Sequence, residues 1–183
     1  MKLILASASP RRKELLRYIT EDFTVRVSHA EENVPAGLTP EETVRYLAAL
    51  KADAVFGGSP EETVVASDTV VVIDGGILGK PKDEADARRM LGVLAGRTHT
   101  VYTGVCVRNA AGKRVFAERT DVTFYPLTEE EIREYVATGE PMDKAGAYGI
   151  QGKGSLLVER INGDFYTVMG LPVAALSRAL KAL

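Results

Sequence analysis

The chain has 183 residues, 45% of them hydrophobic and 26% charged, a size and balance that suit one globular domain over 1–183 with a buried core. Its 25 acidic and 23 basic side chains leave a formal net charge of −2, so no basic surplus points to nucleic acid or an anionic membrane, and any anion site must be local. The single cysteine, Cys106, cannot form an internal disulfide, and with only His29 and His99 beside it a Cys/His zinc site is all but excluded; a metal here needs oxygen ligands.

From the N-terminus, residues 2–6 read as a short buried strand, too brief an apolar run for a signal-peptide core or a membrane span, and the cytoplasm is the expected compartment. Ser9 and Pro10 start a helix, hydroxyl at the cap and proline at the first position. Residues 23–27 suggest a second strand, and a polar stretch over 28–39 leads into a helix from Pro40 to about Phe56. The β-branched run 63–73 predicts a strand covered on both faces, followed by an Asp-Gly-Gly turn and a hairpin partner at 77–79. A helix is expected over 83–94, ended by Gly96, and then two long alternating strands, 98–107 and 114–125, pair as an antiparallel hairpin. Thr128 with Glu131 is a capping box opening a helix through Val136. The glycine-rich segment 143–154 precedes strands at 156–161 and 165–169, and a helix closes the chain over 171–183. Interleaved helices and strands without repeats or linkers predict an α/β fold with a mixed sheet.

Three places in this pattern carry chemistry. Ser7, Ser9, Arg11 and Arg12 put two hydroxyls and two guanidinium groups at a strand-to-helix turn, which suits a polyphosphate but is also what a capped surface helix with solvated arginines looks like. Lys51 falls on the face of its helix traced by Val44, Leu47, Ala48 and Val55, so it either snorkels or faces a ligand site. Asp68 interrupts an otherwise apolar strand; a carboxylate there must pair with a base, neutralise or bind a cation, which leaves a structural ion pair, a general base and a metal ligand as its roles.

Weaker signals accompany them. Glu31 and Glu32, in the long polar loop, can bring a second carboxylate to a hard divalent cation or stand as solvated charges. Lys80, between Gly79 and Pro81, is either a phosphate contact or an exposed turn lysine. In the glycine-rich segment Tyr148 offers a ring and Gln151 an amide able both to donate and to accept, as a pyrimidine edge demands. Neither GxGxxG nor GxxxxGK[ST] occurs, which removes the dinucleotide-fold and P-loop classes.

Taken together, SASPRRKELL, SDTVV, GKPKD, DKAGAYGIQG and INGDFYTVMGLP resemble, in order and over nearly the whole chain, the Maf-like nucleoside triphosphate pyrophosphatases. The resemblance implies an elongated α/β fold similar to the inosine triphosphate pyrophosphatases, with two lobes around a deep cleft, and a homodimer. It implies hydrolysis between the α and β phosphates with Mg²⁺ or Mn²⁺, Asp68 as proton acceptor and metal ligand, and Glu31 beside it on the metal. Ser7, Ser9, Arg11, Arg12, Lys51 and Lys80 then contact the phosphates. Arg11, Thr69 and Gln151 match the branch acting on dTTP and UTP, where the branch acting on 7-methyl-GTP has tryptophan, glutamine and glutamate. The alternatives are a 7-methyl-GTP or damaged-purine pyrophosphatase and a nucleotide-binding cell-division regulator without turnover.

Overall fold

Leu3, Ile4 and Leu5 disappear from solvent in the first strand, β1 (Lys2–Leu5), which sits between two parallel neighbours, β2 (Thr24–Val25) and β3 (Glu62–Ile73). The computed structural model describes residues 2–182. A short partner, β4 (Gly76–Leu78), returns antiparallel along the end of β3, and β5 (Thr98–Asn109), β6 (Gly112–Phe124) and β7 (Val158–Asn162) complete a seven-stranded mixed sheet in the order β2-β1-β3-β5-β6-β7. The helices are α1 (Pro10–Leu16), α2 (Pro40–Val55), α3 (Glu84–Leu94), α4 (Glu129–Ala137), α5 (Phe165–Met169) and α6 (Val173–Lys181). The architecture is thus the mixed α/β fold expected from the alternation of elements.

The chain folds as two compact units, whose boundaries fall inside β3, β5 and β6 and at the end of α5. The first comprises Met1–Thr69, Thr103–Glu118 and Gly170–Leu183, of which residues 1 and 183 lie outside the described structure. Its core joins Ile4 and Ala6 of the β1 segment, Val64 and Ala66 of β3, Cys106 of β5 and the α2 residues Ala48, Ala52 and Val55. α2 starts as the sequence demands: Thr39 accepts from the Glu42 amide while the Glu42 carboxylate accepts from the Thr39 amide, with Pro40 in the first turn. Its backbone lies so close to β5 that a Cβ on Gly104 would meet the Val44 carbonyl carbon and oxygen at 2.3 Å. Only glycine permits that approach. Burial pushes the Cys106 thiol up to about 11, so it behaves as the small core residue its context suggests.

The second unit comprises Val70–Tyr102 and Arg119–Met169. Its core gathers Val71 and Ile73 of β3, Met90, Leu91 and Leu94 of α3, Phe124 of β6, Ile132, Tyr135 and Val136 of α4, and Tyr148. The Thr128–Glu131 capping box forms as expected and starts α4.

Three sequence expectations are corrected. The segment 165–169 is a helix, α5, rather than a strand, because the Asp164 carboxylate accepts from both the amide (2.6 Å) and the hydroxyl (2.8 Å) of Thr167 and so caps a helical turn; the alternation of bulky residues there misleads. The strand expected at 156–161 is displaced to Val158–Asn162, since Gly152–Leu157 coils into a 3₁₀ helix. The final helix starts at Val173, after Pro172, rather than at Leu171, and its expected last residue, Leu183, lies outside the described residues.

Candidate active site

In the first unit the turn between β1 and α1 is built by two hydroxyls. Ser9 caps α1, its Oγ accepting from the Arg12 amide at 3.4 Å, and the buried Ser7 Oγ accepts from the Ser9 amide at 3.2 Å. A hydroxyl that accepts in this way keeps its own O–H to donate to an anion.

Arg12 is the hub of the turn. Its Nε donates to the Gly170 carbonyl (3.0 Å), Nη2 to Thr69 Oγ1 (3.1 Å) and Nη1 reaches Ser7 Oγ at 3.5 Å. The buried Ser67 hydroxyl donates to the same Gly170 carbonyl at 3.0 Å, and the Thr69 and Thr103 hydroxyls share a bond of 2.9 Å. Desolvation lowers the Arg12 pKa from its ordinary value, Asp68 and Glu32 act to raise it, and Arg11 lowers it further. Such a rigid, crowded guanidinium, held by neutral acceptors, keeps its charge available to a ligand.

One residue before Thr69, Asp68 leaves β3 toward α2. Lys51 Nζ donates to Asp68 Oδ1 at 2.6 Å and lies 3.1 Å from Glu32 Oε1. The Lys51 and Asp68 side chains keep 14% and 13% of their exposure, whereas Glu32 keeps 51%. Lys51 therefore neither snorkels to bulk water nor stands alone: the buried face of α2 aims it at the carboxylate that breaks the strand. Ion pairing and a chemical role are compatible, because the ammonium compensates a charge that a half-buried strand position could not otherwise hold.

Asp68 Oδ1 and Glu32 Oε1 are hard oxygen donors converging on one positive centre, the arrangement a divalent cation also requires. Among the described residues no group of three or more His, Cys, Asp or Glu side chains lies close enough together to hold a metal ion. An ion bound by one or two carboxylates and completed by phosphate oxygens and water fits this donor set; an all-protein cage does not.

Of the residues singled out in the sequence, Ser7, Ser9, Arg12, Lys51, Asp68 and Thr69 are thus assembled in one unit by direct bonds or by charge. Arg11 is half-buried in the first turn of α1, close enough for its charge to act on Arg12. Glu31 is turned to Asn33, whose Nδ2 donates to its Oε2 at 3.2 Å, and it is Glu32 that reaches Lys51. Lys80 and Gln151 belong to the second unit, both exposed. Tyr148, read as a ring for a ligand, is a core residue: its hydroxyl bonds His99 Nε2 at 2.7 Å, and its ring packs edge-on against His99 and Phe124. Sequence reasoning missed Ser67, Thr103 and Gly170. Ser67 and Thr103 carry the one usable signal, a hydroxyl replacing an aliphatic residue at a fully buried strand position.

The family described as Maf-like protein matches residues 2–183. A dTTP/UTP pyrophosphatase of Bacillus velezensis is 53% identical over 180 residues, covering 98% of this chain and 95% of that protein. One of Bacillus cytotoxicus is 54% identical over 180 residues, covering 98% and 94%. Among solved structures, the Staphylococcus aureus Ham1 protein shares the fold, with a TM-score of 0.58 at 16% identity over 100% of this chain and 99% of that one. By sequence from end to end, this chain belongs to the Maf-like protein family.

Proposed function

We propose that the protein is a nucleoside triphosphate pyrophosphatase that hydrolyses dTTP, UTP and modified pyrimidine relatives to a nucleoside monophosphate and pyrophosphate. The observation that carries it is the Asp68–Lys51–Glu32 cluster in the same unit as the Arg12 hub, a carboxylate pair and fixed cations where hydrolysis of a polyphosphate needs both. The relatives that share about half of its residues and bear the name dTTP/UTP pyrophosphatase support the same activity.

In this mechanism Arg12, with Ser7 and Ser9 donating their hydroxyl protons, grips phosphate oxygens. Asp68 takes a proton from water as the water oxygen bonds to phosphorus; the α–β bridging bond breaks and pyrophosphate leaves. Lys51 offsets negative charge on the departing group, and Lys80 shares that task on the strength of the sequence resemblance. A divalent cation such as Mg²⁺ or Mn²⁺, held by Asp68 with Glu32 or with Glu31 beside it, supplies charge neutralisation of the triphosphate. The resemblance also supports assigning choice of base to Arg11, Thr69 and Gln151, and a homodimer in the cytoplasm, where triphosphates are made. Among the described residues no helix is long and apolar enough to cross a membrane.

The test is to incubate the purified protein with dTTP and Mg²⁺ and to measure pyrophosphate and dTMP. Product is expected in equal amounts, and Asp68→Asn is expected to abolish turnover while dTTP still binds. Binding without product across metals and pH refutes the activity, and 7-methyl-GTP turned over as fast as dTTP refutes the pyrimidine assignment.

A further inference from the structure

The glycine-rich segment of the second unit is organised around one carboxylate that the mechanism above does not use. Glu140 Oε1 accepts from the Tyr135 hydroxyl at 3.0 Å and from the Gly154 amide at 3.1 Å, while Oε2 accepts from the Lys153 amide at 3.1 Å. The Tyr135 oxygen in turn accepts from the Gly149 amide at 3.1 Å. Amides two residues before Gln151 and two and three residues after it therefore end on the same Glu140–Tyr135 pair. Charge-assisted bonds from main-chain amides to a carboxylate are among the stronger local restraints available to a loop.

Close packing holds the bracket shut. A Cβ on Gly154 would lie 2.0 Å from the Gly149 carbonyl oxygen and 2.7 Å from the Tyr135 hydroxyl, and one on Gly152, at φ +65°, would lie 2.8 Å from Glu140 Oε2. The base of the bracket is anchored at both ends: Tyr135 is a core residue of α4, and the Lys144 ammonium donates to the Glu140 carbonyl and to Asp143 Oδ1. Gln151 itself stays exposed at the apex. A flexible glycine-rich loop has thus been made stiff on either side of one amide side chain. Stiffening lowers the ordering cost that a loop pays on gripping a ligand.

We propose that Glu140 is a positioning residue that sets the backbone presenting Gln151 and thereby governs how tightly a pyrimidine nucleotide is held by its base. The inference rests on the assignment of Gln151 to the base made above. Glu140 touches neither substrate nor reacting atoms; it acts through the loop.

The experiment compares two ligands by calorimetry in Mg²⁺ buffer: dTMP, which carries a base, and inorganic tripolyphosphate, which does not. In Glu140→Gln the amide NH₂ takes the place of one carboxylate oxygen and opposes a main-chain N–H donor, so one side of the bracket opens. The dTMP dissociation constant is expected to rise about ten-fold, the loss of roughly one buried hydrogen bond's worth of order, with tripolyphosphate binding unchanged. Tyr135→Phe keeps the ring in the core but removes the hydroxyl, and is expected to show the same selective loss; it carries the test should Glu140→Gln fail to fold. Equal weakening of both ligands, or no weakening of either, overturns the proposal, as does wild-type protein that binds no dTMP. Wild-type protein that binds dTMP yet releases no pyrophosphate from dTTP refutes the activity instead.

Discussion

Replacing Lys51 with methionine keeps the length and packing of the side chain and removes the charge that sits 2.6 Å from Asp68. Removing one partner of a fully buried ion pair costs about 3–5 kcal/mol. Here each side chain keeps roughly an eighth of its exposure and Glu32 adds a second carboxylate to the same ammonium, so water screens part of the loss while a second charge is also stranded. A destabilisation of about 3 kcal/mol is expected, which in a chain of this length lowers Tm by about 6–12 °C. Adding Asp68→Asn to Lys51→Met removes the stranded carboxylate and is expected to recover at least half of that loss. Mg²⁺ is expected to raise the Tm of Lys51→Met more than that of the wild type, because two unneutralised carboxylates then face one position. Thermal melting of the four proteins of the cycle, with and without Mg²⁺, measures all of this. A fall of less than about 2 °C for Lys51→Met, or a double variant whose loss is the sum of the single losses, refutes the claim that the ammonium compensates Asp68.

His99 is 2% exposed, and burial lowers its pKa from 6.5 to about 4, with Asp121 opposing the shift. The unfolded chain takes up a proton below pH 6.5 that the folded chain refuses until about pH 4, so stability is lost as pH falls through that window, by about 1.4 kcal/mol per unit and about 3 kcal/mol in all. Urea midpoints between pH 7 and 5 are expected to fall accordingly, and to fall much less in His99→Gln; identical profiles count against a neutral buried imidazole. Gly104→Ala drives a methyl group against the α2 backbone at 2.3 Å, and since backbone cannot rotate away the expected cost is about 1–3 kcal/mol, read from the same melts; an unchanged Tm shows that α2 shifts freely.

Much of the molecule is legible in the order of its residues. The caps at Ser9 and Thr128 place two helix starts, because a cap is a bond closed within three or four residues of itself. The apolar run interrupted by Asp68 and the lysine on the buried face of α2 both announce a charge that needs a partner, and each is the other's. The same local logic errs at 165–169, where alternation suggests a strand and the capping carboxylate of Asp164 wins.

Other features are contacts between residues far apart in the chain. Nothing near Arg12 in sequence foretells that Gly170 and Thr69 accept from its guanidinium, 158 and 57 residues away. Nothing near the loop decides that Glu32 rather than Glu31 meets Lys51, since neighbours in an exposed segment are separated only by the direction in which the backbone turns them. Glu140 looks in sequence like one more surface carboxylate beside a proline, and it gains its role because α4 and the glycine-rich segment bring one hydroxyl and two amides to it. Periodicity and capping are short-range forces written residue by residue, whereas a hydrogen-bond hub exists only once sheet order has brought remote strands and turns together.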